Sequence, residues 1–176
     1  KSTFMKLLAG LYRPASGELL LDGSPVVGDR QEYYRSLITA IFPDFHLFQR
    51  LYGIEDPNPA ELVDMLTQFR LQEKTRLTHG EFQTTDLSSG QRRRLALIVA
   101  QLEKRPLLLL DEWAADQDPE FRRKFYFEFL PAMHRAGVTV VAISHDDRYI
   151  DEMDVPMRLL RMDEGRFTEL SSVETG

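Results

Sequence analysis

The sequence predicts an α/β fold in which a mainly parallel sheet carries an inserted helical lobe. A continuous apolar run at 106–110 and a second run at 138–143, with one threonine in it, are typical of parallel strands that are covered on both faces. The segments between and after these runs have helical apolar periodicity, and this alternation of strand and helix defines the class. A third observation is the change at Pro43, where strand-like sequence gives way to amphipathic helical sequence. We interpret that stretch as the inserted lobe.

The chain begins with a predicted helix whose apolar face is Phe4, Leu7, Leu8 and Leu11. It must end before Pro14, because proline disfavours helical geometry in the residue that precedes it. The opening residues 1–3, Lys-Ser-Thr, therefore stand at a helix N-terminus, where unpaired amides favour an anion such as phosphate. Short strands are expected in SGELLLDG (16–23) and RSLITAIF (35–42).

The lobe is predicted to contain two amphipathic helices. The stretch 45–69 has Asn58 as its expected N-cap and Pro59 at a first helical position. Its expected apolar face is Leu62, Met65, Leu66 and Phe69. The second helix lies in LSSGQRRRLALIVAQLEKR (87–105), with an expected face of Leu95, Ile98, Val99 and Leu102. We expect its arginines, 92–94, to form a solvated face.

A long helix is predicted over 120–137, capped by Asp118-Pro119. Its expected inward residues are Phe121, Phe125, Phe129 and Met133. The run 138–143 is the next expected buried strand, and 157–170 is predicted to form a hairpin. We divide the chain into two core segments, 1–42 and 105–176, that flank the lobe at 43–104.

Composition excludes several classes of function. A formal net charge of −6 argues against sequence-independent binding of DNA or RNA, which requires a basic surface. The absence of cysteine excludes disulfides and thiolate chemistry, and it fits a reducing, cytosol-facing location. The longest apolar runs are much shorter than the roughly 18 residues that a membrane-spanning helix needs.

The first chemical signal is Asp111-Glu112, directly after the apolar run 106–110. Ligands of open α/β sheets bind at the carboxyl ends of strands, and neighbouring side chains of a strand point to opposite sides. One carboxylate can therefore face a metal ion while the other faces an attacking water. Taken alone, the pair is equally compatible with a solvated acidic turn. Ser88-Ser89-Gly90 adds a candidate anion site, because exposed amides and a hydroxyl stand at a helix start.

The order of these motifs carries a resemblance to a known family. KST (1–3), LSSGQ (87–91), LLLLDE (107–112), ADQD (115–118) and ISHDD (143–147) follow one another as in the ATP-binding cassette family, the ATPase domains of ABC transporters. They resemble its Walker A end, signature motif, Walker B strand, D-loop and switch histidine. The resemblance implies a P-loop NTPase cassette fold whose N-terminal strands and Walker A glycines would precede Lys1.

The resemblance also implies a role for each residue in binding ATP and Mg²⁺. Lys1 and Thr3 belong to the phosphate loop, with Lys1 neutralising the terminal phosphates. Ser2 and Asp111 hold Mg²⁺, Asp111 through water. Glu112 deprotonates the hydrolytic water, and His145 bonds the γ-phosphate. The residues that serve a second cassette in a head-to-tail homodimer are Ser88, Ser89, Gly90 and Gln91, with Asp118 spanning the interface.

The implied setting is a membrane transporter. The partners are a second cassette and a transmembrane domain, expected in the same polypeptide, at the cytoplasmic face of the cell membrane; no nucleic-acid partner is implied. FPDFHLF, DEWAADQDPEFRRKFYFEFLP and ISHDDRYI resemble bacterial exporters of cyclic peptides and peptide siderophores. The sequence departs from the wider family at Pro43, which replaces a glutamine, and at Trp113, Gln117 and Ser89. Asp44 or His46 could replace that glutamine.

Two other functions remain open on the sequence. A cassette ATPase acting on DNA or ribosomes would be expected to show coiled coils, a second cassette or a basic surface. A non-catalytic remnant is the other alternative, because the phosphate loop is incomplete and the glutamine is absent. Retention of Glu112 and His145 favours a site competent for hydrolysis. Without the glycine amides, we expect the 176-residue chain alone to bind ATP poorly and to be inactive.

Overall fold

Helices and strands alternate along the described part of the chain, residues 1–54 and 57–173 of a computed structural model. The helices are α1 (Ser2–Leu8), α2 (Arg30–Ser36), α3 (Pro59–Gln68), α4 (Ser89–Glu103), α5 (Pro119–Lys124), α6 (Leu130–Arg135) and α7 (Asp147–Asp151). The strands are β1 (Leu20–Leu21), β2 (Ser24–Pro25), β3 (Ile38–Ile41), β4 (Leu77–Thr78), β5 (Glu81–Phe82), β6 (Leu107–Asp111), β7 (Thr139–Ile143), β8 (Met157–Asp163) and β9 (Arg166–Val173). A 3₁₀ turn (Trp113–Asp116) follows β6, and a π-helical turn (Phe125–Phe129) joins α5 to α6.

The central sheet is parallel and has the order β3-β6-β7, which confirms the predicted α/β class. Strand β6 lies in the middle and is buried on both faces, because successive side chains alternate between two cores. Leu108 and Leu110 pack in one core with α4 and the α5–α6 segment. Leu109 packs in the other core with Met5 and Ala9 of the N-terminal region. The sheet therefore presents the carboxyl end of β6 between two layers of helices.

Helix α4 is buried on nearly every side, so the single apolar face predicted for it was too narrow. Leu95, Leu97 and Ile98 are all inaccessible to solvent, although they point in different directions around the helix. The reason is position: α4 packs against β3 on one side and against α3 on another. The D-loop side of α4 holds Arg93 and Arg94, which are also buried, so the prediction of a solvated arginine face was wrong for these two residues.

Helix α3 begins as predicted, with the Asn58 side chain accepting a hydrogen bond of 3.0 Å from the amide of Ala60. The helical prediction for the stretch before it was wrong, because 45–54 has no helix. Its backbone pairs instead with the β4–β5 hairpin: the Leu51 amide donates to the Gly80 carbonyl and the Phe82 amide donates to the Gln49 carbonyl. Residues 55–56 of that prediction, and 174–176 of the last core segment, lie outside the described residues.

Two further expectations are corrected at the edges of the core. Helix α1 buries Met5, and Phe4 and Leu8 of the expected apolar face pack partly buried against the same core. The helix ends at Leu8, which leaves Leu11 exposed. Strand β7 is half-covered rather than buried. Among the described strands it pairs only with β6, so its outer edge has no neighbour. The boundaries proposed at 42/43 and 104/105 remain predictions.

An aromatic core joins the lobe to the long helical segment. The predicted inward residues Phe121, Phe125, Phe129 and Met133 are all buried. Phe69 at the end of α3 stacks on Phe129 with ring centroids 4.5 Å apart, and Trp113 stacks on Phe125 at the same distance. The predicted hairpin is also present as β8–β9. No helix of 1–54 or 57–173 is long and apolar enough to cross a membrane.

We predict that Phe69→Ala lowers the free energy of unfolding by about 3–5 kcal/mol, because it leaves a cavity against two phenylalanine rings. Urea denaturation followed by the fluorescence of Trp113, the single tryptophan, measures the loss. Val63→Ala is the matched control, since Val63 is on the same helix but largely exposed, and we expect a change below about 0.5 kcal/mol. Equal losses for the two variants would contradict the packing described.

Candidate active site

The carboxyl end of β6 presents Asp111 and Glu112 in different environments. Asp111 is 1% exposed, and neither of its carboxylate oxygens has a hydrogen-bond partner among the described residues. A buried carboxylate without a partner is costly, so its position fits a nearby cation. No cluster of three or more metal-ligating side chains occurs in the described part of the chain. A single carboxylate suits Mg²⁺, which keeps several waters and takes other ligands from substrate phosphates.

Glu112 faces the opposite way and meets His145. Its Oε1 lies 3.4 Å from His145 Nε2, and both side chains are substantially exposed to solvent. They border a cleft of about 240 Å³, which is smaller than the roughly 300–1,000 Å³ of sites that enclose a whole small molecule. The cleft is lined by Glu112, Ala114, Ala115, Arg122, Ile143, Ser144, His145 and Asp146. Its size suits a phosphate group and a water molecule.

The signature segment (87–91) forms the start of α4. Ser88 is the N-cap, because its Oγ accepts from the Gln91 amide at 3.4 Å while Gln91 Oε1 accepts from the Ser88 amide at 3.2 Å. Ser88 and Ser89 are exposed, whereas Gly90 is buried against the D-loop (115–118). A Cβ atom at position 90 would lie 2.7 Å from the Asp116 carbonyl oxygen, so only glycine allows this approach.

Arg93 connects α4 to the residues after β6. Its Nε lies 2.9 Å from Asp116 Oδ2, and its Nη1 donates to the Glu112 carbonyl oxygen at 2.5 Å. Its own carbonyl oxygen accepts from the indole N–H of Trp113 at 2.9 Å. Trp113 is therefore a buried anchor that joins the D-loop to α4, which explains why an aromatic residue stands at this unusual position.

Arg94 binds the other end of the D-loop. Its Nε donates to Gln117 Oε1 at 2.8 Å and its Nη2 donates to Asp118 Oδ2 at 2.6 Å. Gln117 returns a hydrogen bond from Nε2 to the Gly90 carbonyl oxygen at 3.2 Å. Burial lowers the pKa of Arg94, and Asp118 opposes that shift. The unusual Gln117 thus joins the signature segment to the D-loop.

Asp118 has both carboxylate oxygens engaged within its own chain. Oδ1 accepts from the Phe121 amide at 2.9 Å and caps α5, while Oδ2 accepts from Arg94. The Phe121 N–H, with Arg94 as a second contributor, lowers the pKa of Asp118 below its ordinary value. The Asp118 side chain, which is expected to span a dimer interface, is therefore already held in place by contacts within its own chain.

Arg122 joins the D-loop to the switch loop (144–146). Its Nη2 donates to the carbonyl oxygens of Ala115 and Gln117 at 3.1 and 3.2 Å, and its Nη1 pairs with Asp146 Oδ1 at 3.2 Å. Asp146 Oδ2 also accepts from the Tyr126 hydroxyl at 3.0 Å. Burial raises the pKa of that hydroxyl, which keeps it a proton donor. The loop that carries His145 is thereby held against the D-loop.

Comparison of the chain with known proteins identifies its family. A family model described as ABC transporter matches residues 1–115. The chain belongs to the ABC transporter family. It is 46% identical over 169 residues to ATP-binding protein SyrD of Pseudomonas syringae pv. syringae, covering 94% of this chain and 29% of SyrD. It is 32% identical over 188 residues to putrescine transport ATP-binding protein PotG of Escherichia coli K12, covering 99% of this chain and 47% of PotG.

Solved structures agree with this ABC assignment. The chain superposes with a TM-score of 0.74 and 25% identity on a bacterial Atm1-family ABC exporter with ATP bound, covering 96% of this chain and 31% of that one. CbiO1 of Clostridium perfringens, part of an ABC transporter complex, matches with a TM-score of 0.68 and 23% identity over 95% of this chain and 70% of its own, and shows the fold. The chain spans under half the length of SyrD, PotG and the Atm1-family exporter.

The residues expected to belong to the phosphate loop are not bonded to the acidic pair. Lys1, Ser2 and Thr3 are exposed at the start of α1, and none of the hydrogen bonds or ion pairs of the described residues joins them to Asp111 or Glu112. Their helix nevertheless packs on the sheet beside β6. Near Pro43, His46 packs edge-on against Phe48 with ring centroids 4.6 Å apart.

Sequence reasoning missed the roles of Arg93, Arg94 and Arg122, the three arginines that bond the segments of the candidate site to one another. The signal available was charge of opposite sign: a run of arginines in the signature helix, followed by acidic residues at 116 and 118. A run of charges on a helix is normally solvated, and sequence spacing does not show that the two segments are neighbours in space.

We predict that Asp118→Asn makes stability less dependent on pH, because asparagine keeps the N-cap but loses the charge. A lowered pKa means that ionised Asp118 stabilises the fold above its ordinary pKa of about 4, and that this stabilisation is lost as pH falls through the native value. Urea denaturation between about pH 6 and pH 3 should show the variant less stable at the upper end, with the difference shrinking toward acid. Asp64→Asn, at an exposed residue of α3, is the control. A difference that stays constant with pH would contradict the account.

Proposed function

We propose that this chain is the ATP-hydrolysing domain of an ABC exporter. The observation that carries the proposal is the meeting of Glu112 with His145 beside the unpartnered buried carboxylate of Asp111. A phosphate-sized cleft beside a carboxylate that can face a cation suits phosphoryl transfer. Catalysis of phosphoryl transfer depends mainly on positioning the reactants and stabilising their charge. Membership of the ABC family supplies the substrate class.

The chain's own residues divide the work of hydrolysis. Glu112 accepts the proton of the attacking water, since its carboxylate is exposed to the cleft and is fixed through its backbone. His145 donates a hydrogen bond to the γ-phosphate. Ser2 would ligate Mg²⁺ directly and Asp111 would hold the ion through water, and the bound ion would neutralise phosphate charge. Lys1 and Thr3 contribute to the phosphate loop, with Lys1 facing the terminal phosphates.

We propose that a second copy completes the site. Ser88 caps a helix of 15 residues that begins at Ser89. The capping box occupies the amides of Ser88 and Gln91, so the amides left for an anion are those of Ser89 and Gly90, and Ser88 and Ser89 are exposed. They do not line the cleft of their own chain. We infer, as the family resemblance implies, that they bind the nucleotide of a partner cassette. Asp118, fixed by Arg94, then supports the D-loop at that interface. The dimer lies under a transmembrane domain at the cytoplasmic face of the cell membrane.

We predict that Glu112→Gln lowers the steady-state ATPase rate of the protein encoded by the complete reading frame by about 10²–10⁴-fold. Binding of Mg-ATP should remain, because the change preserves shape and removes only the base. Phosphate release and equilibrium titration with labelled ATP measure the two quantities. Retention of the wild-type rate would refute the catalytic assignment and favour the non-catalytic alternative.

The proposed cargo is a cyclic peptide or peptide siderophore. Its support is the resemblance of the Pro43, Walker B and switch segments to exporters of such compounds, together with the structural likeness to an ABC exporter. We expect inverted membrane vesicles that contain the full protein to accumulate a cyclic peptide secreted by the source strain when ATP is supplied. Vesicles with Glu112→Gln are the control. ATPase activity without accumulation would leave a cassette that acts on another cargo or outside transport.

A further inference from the structure

We propose that Arg93 is a positioning residue that fixes the backbone of Glu112 and thereby aims its carboxylate at His145 and the cleft. The inference deepens the proposed ATPase function and rests on it. It is carried by contacts within this chain: the Arg93 guanidinium reaches both the Glu112 carbonyl oxygen and the Asp116 carboxylate. Arg93 thus contacts the segment after β6 at three residues: its side chain reaches Glu112 and Asp116, and its main chain reaches Trp113.

Glu112 needs external support because its backbone is in the left-handed region, with φ of 53°. For a residue other than glycine this conformation is strained and persists only when neighbouring contacts hold it. Its amide donates to the Ile143 carbonyl oxygen at 3.1 Å, which continues the β6–β7 pairing. Its carbonyl oxygen accepts from the Ala115 amide at 3.2 Å and from Arg93 at 2.5 Å. The charged donor is the strongest of these partners.

Arg93 is well placed to hold that carbonyl because it is itself immobile. Its side chain is only 9% exposed, and Asp116 neutralises its charge. The planar guanidinium offers several donors in a fixed geometry, so one side chain can bond two acceptors without adjustment. Its backbone carbonyl oxygen is bonded by the buried Trp113 indole. The side chain of Arg93 therefore bonds the Glu112 carbonyl oxygen, while its main chain bonds the side chain of Trp113.

The neighbouring Arg94 has a different task. It bonds Gln117 and Asp118 at the far end of the D-loop, and its guanidinium lies 3.6 Å from the centroid of the Phe121 ring. Its recorded bonds end at the D-loop and do not include Glu112. Both arginines therefore bind the D-loop, but of the two only Arg93 also bonds Glu112, so its effect on Glu112 can be tested separately from that of Arg94.

The test uses Arg93→Gln in the protein encoded by the complete reading frame. We expect kcat for ATP to fall by about 10–100-fold, since misplacement of a catalytic group by about 1 Å costs on this scale. The KM for ATP should change less than about twofold, because Glu112 is the one cleft-lining residue that Arg93 bonds among the described residues. Arg93→Lys, which keeps the charge but not the fork, should show a smaller fall. Arg135→Gln, at an exposed residue of α6, should match the wild type.

A double-mutant cycle separates positioning from general damage. If Arg93 acts through Glu112, then Arg93→Gln added to Glu112→Gln lowers the remaining rate no further. Multiplicative losses, an unchanged kcat in Arg93→Gln, or equal falls in kcat and ATP affinity would overturn the proposal. If Arg93→Gln sharply lowers the thermal midpoint of unfolding, the same double-mutant cycle is measured with Arg93→Lys, and that cycle tests the positioning role. Full activity of Glu112→Gln alone would refute the proposed function instead, whereas an inactive Glu112→Gln with an active Arg93→Gln refutes only the positioning role.

Discussion

The organisation of this cassette depends on the pairing of two buried arginines of α4 with the acidic residues of the D-loop. Arg93 and Arg94 are almost inaccessible, and each has its charge met by a carboxylate, Asp116 or Asp118. Removing either carboxylate leaves a nearly inaccessible arginine without its charged partner, which is unfavourable, although the cost is below that of a fully buried pair because Asp116 and Asp118 are 42% and 48% exposed. The start of the signature helix and the end of β6 are therefore held together as one unit.

The rest of the site follows from that unit. Gly90 allows the backbones of the signature segment and the D-loop to meet, and Gln117 and Trp113 bond the two across the contact. Arg122 extends the connection to Asp146 and so to the loop that carries His145. A continuous series of contacts thus joins the residues proposed to bind a partner's nucleotide to the Glu112–His145 pair of the same polypeptide.

The sequence predicted those features that follow from local periodicity. The parallel sheet, the start of α3 at Asn58 and the inward phenylalanines of the α5–α6 segment depend on runs of a few residues. The sequence-based predictions were wrong where the conformation or burial of a segment depends on contacts with residues far away in the sequence. Residues 45–54 were expected to be helical but pair with a hairpin some 30 residues later, and the arginines 93–94 were expected in solvent but meet carboxylates more than 20 residues away. Motif order brought Glu112 and His145 together as candidates, yet only the structure shows what holds them.

The central claim is that the cleft at Glu112 and His145 is half of a nucleotide site that a second copy completes. The most direct measurement is the structure of the full protein with Mg²⁺ and a nonhydrolysable ATP analogue. The account predicts the γ-phosphate beside Glu112 and His145 of one copy and within hydrogen-bond distance of Ser88 to Gly90 of the other, with Asp111 facing the ion. A bound analogue that contacts only one copy, or that lies away from the end of β6, would contradict it.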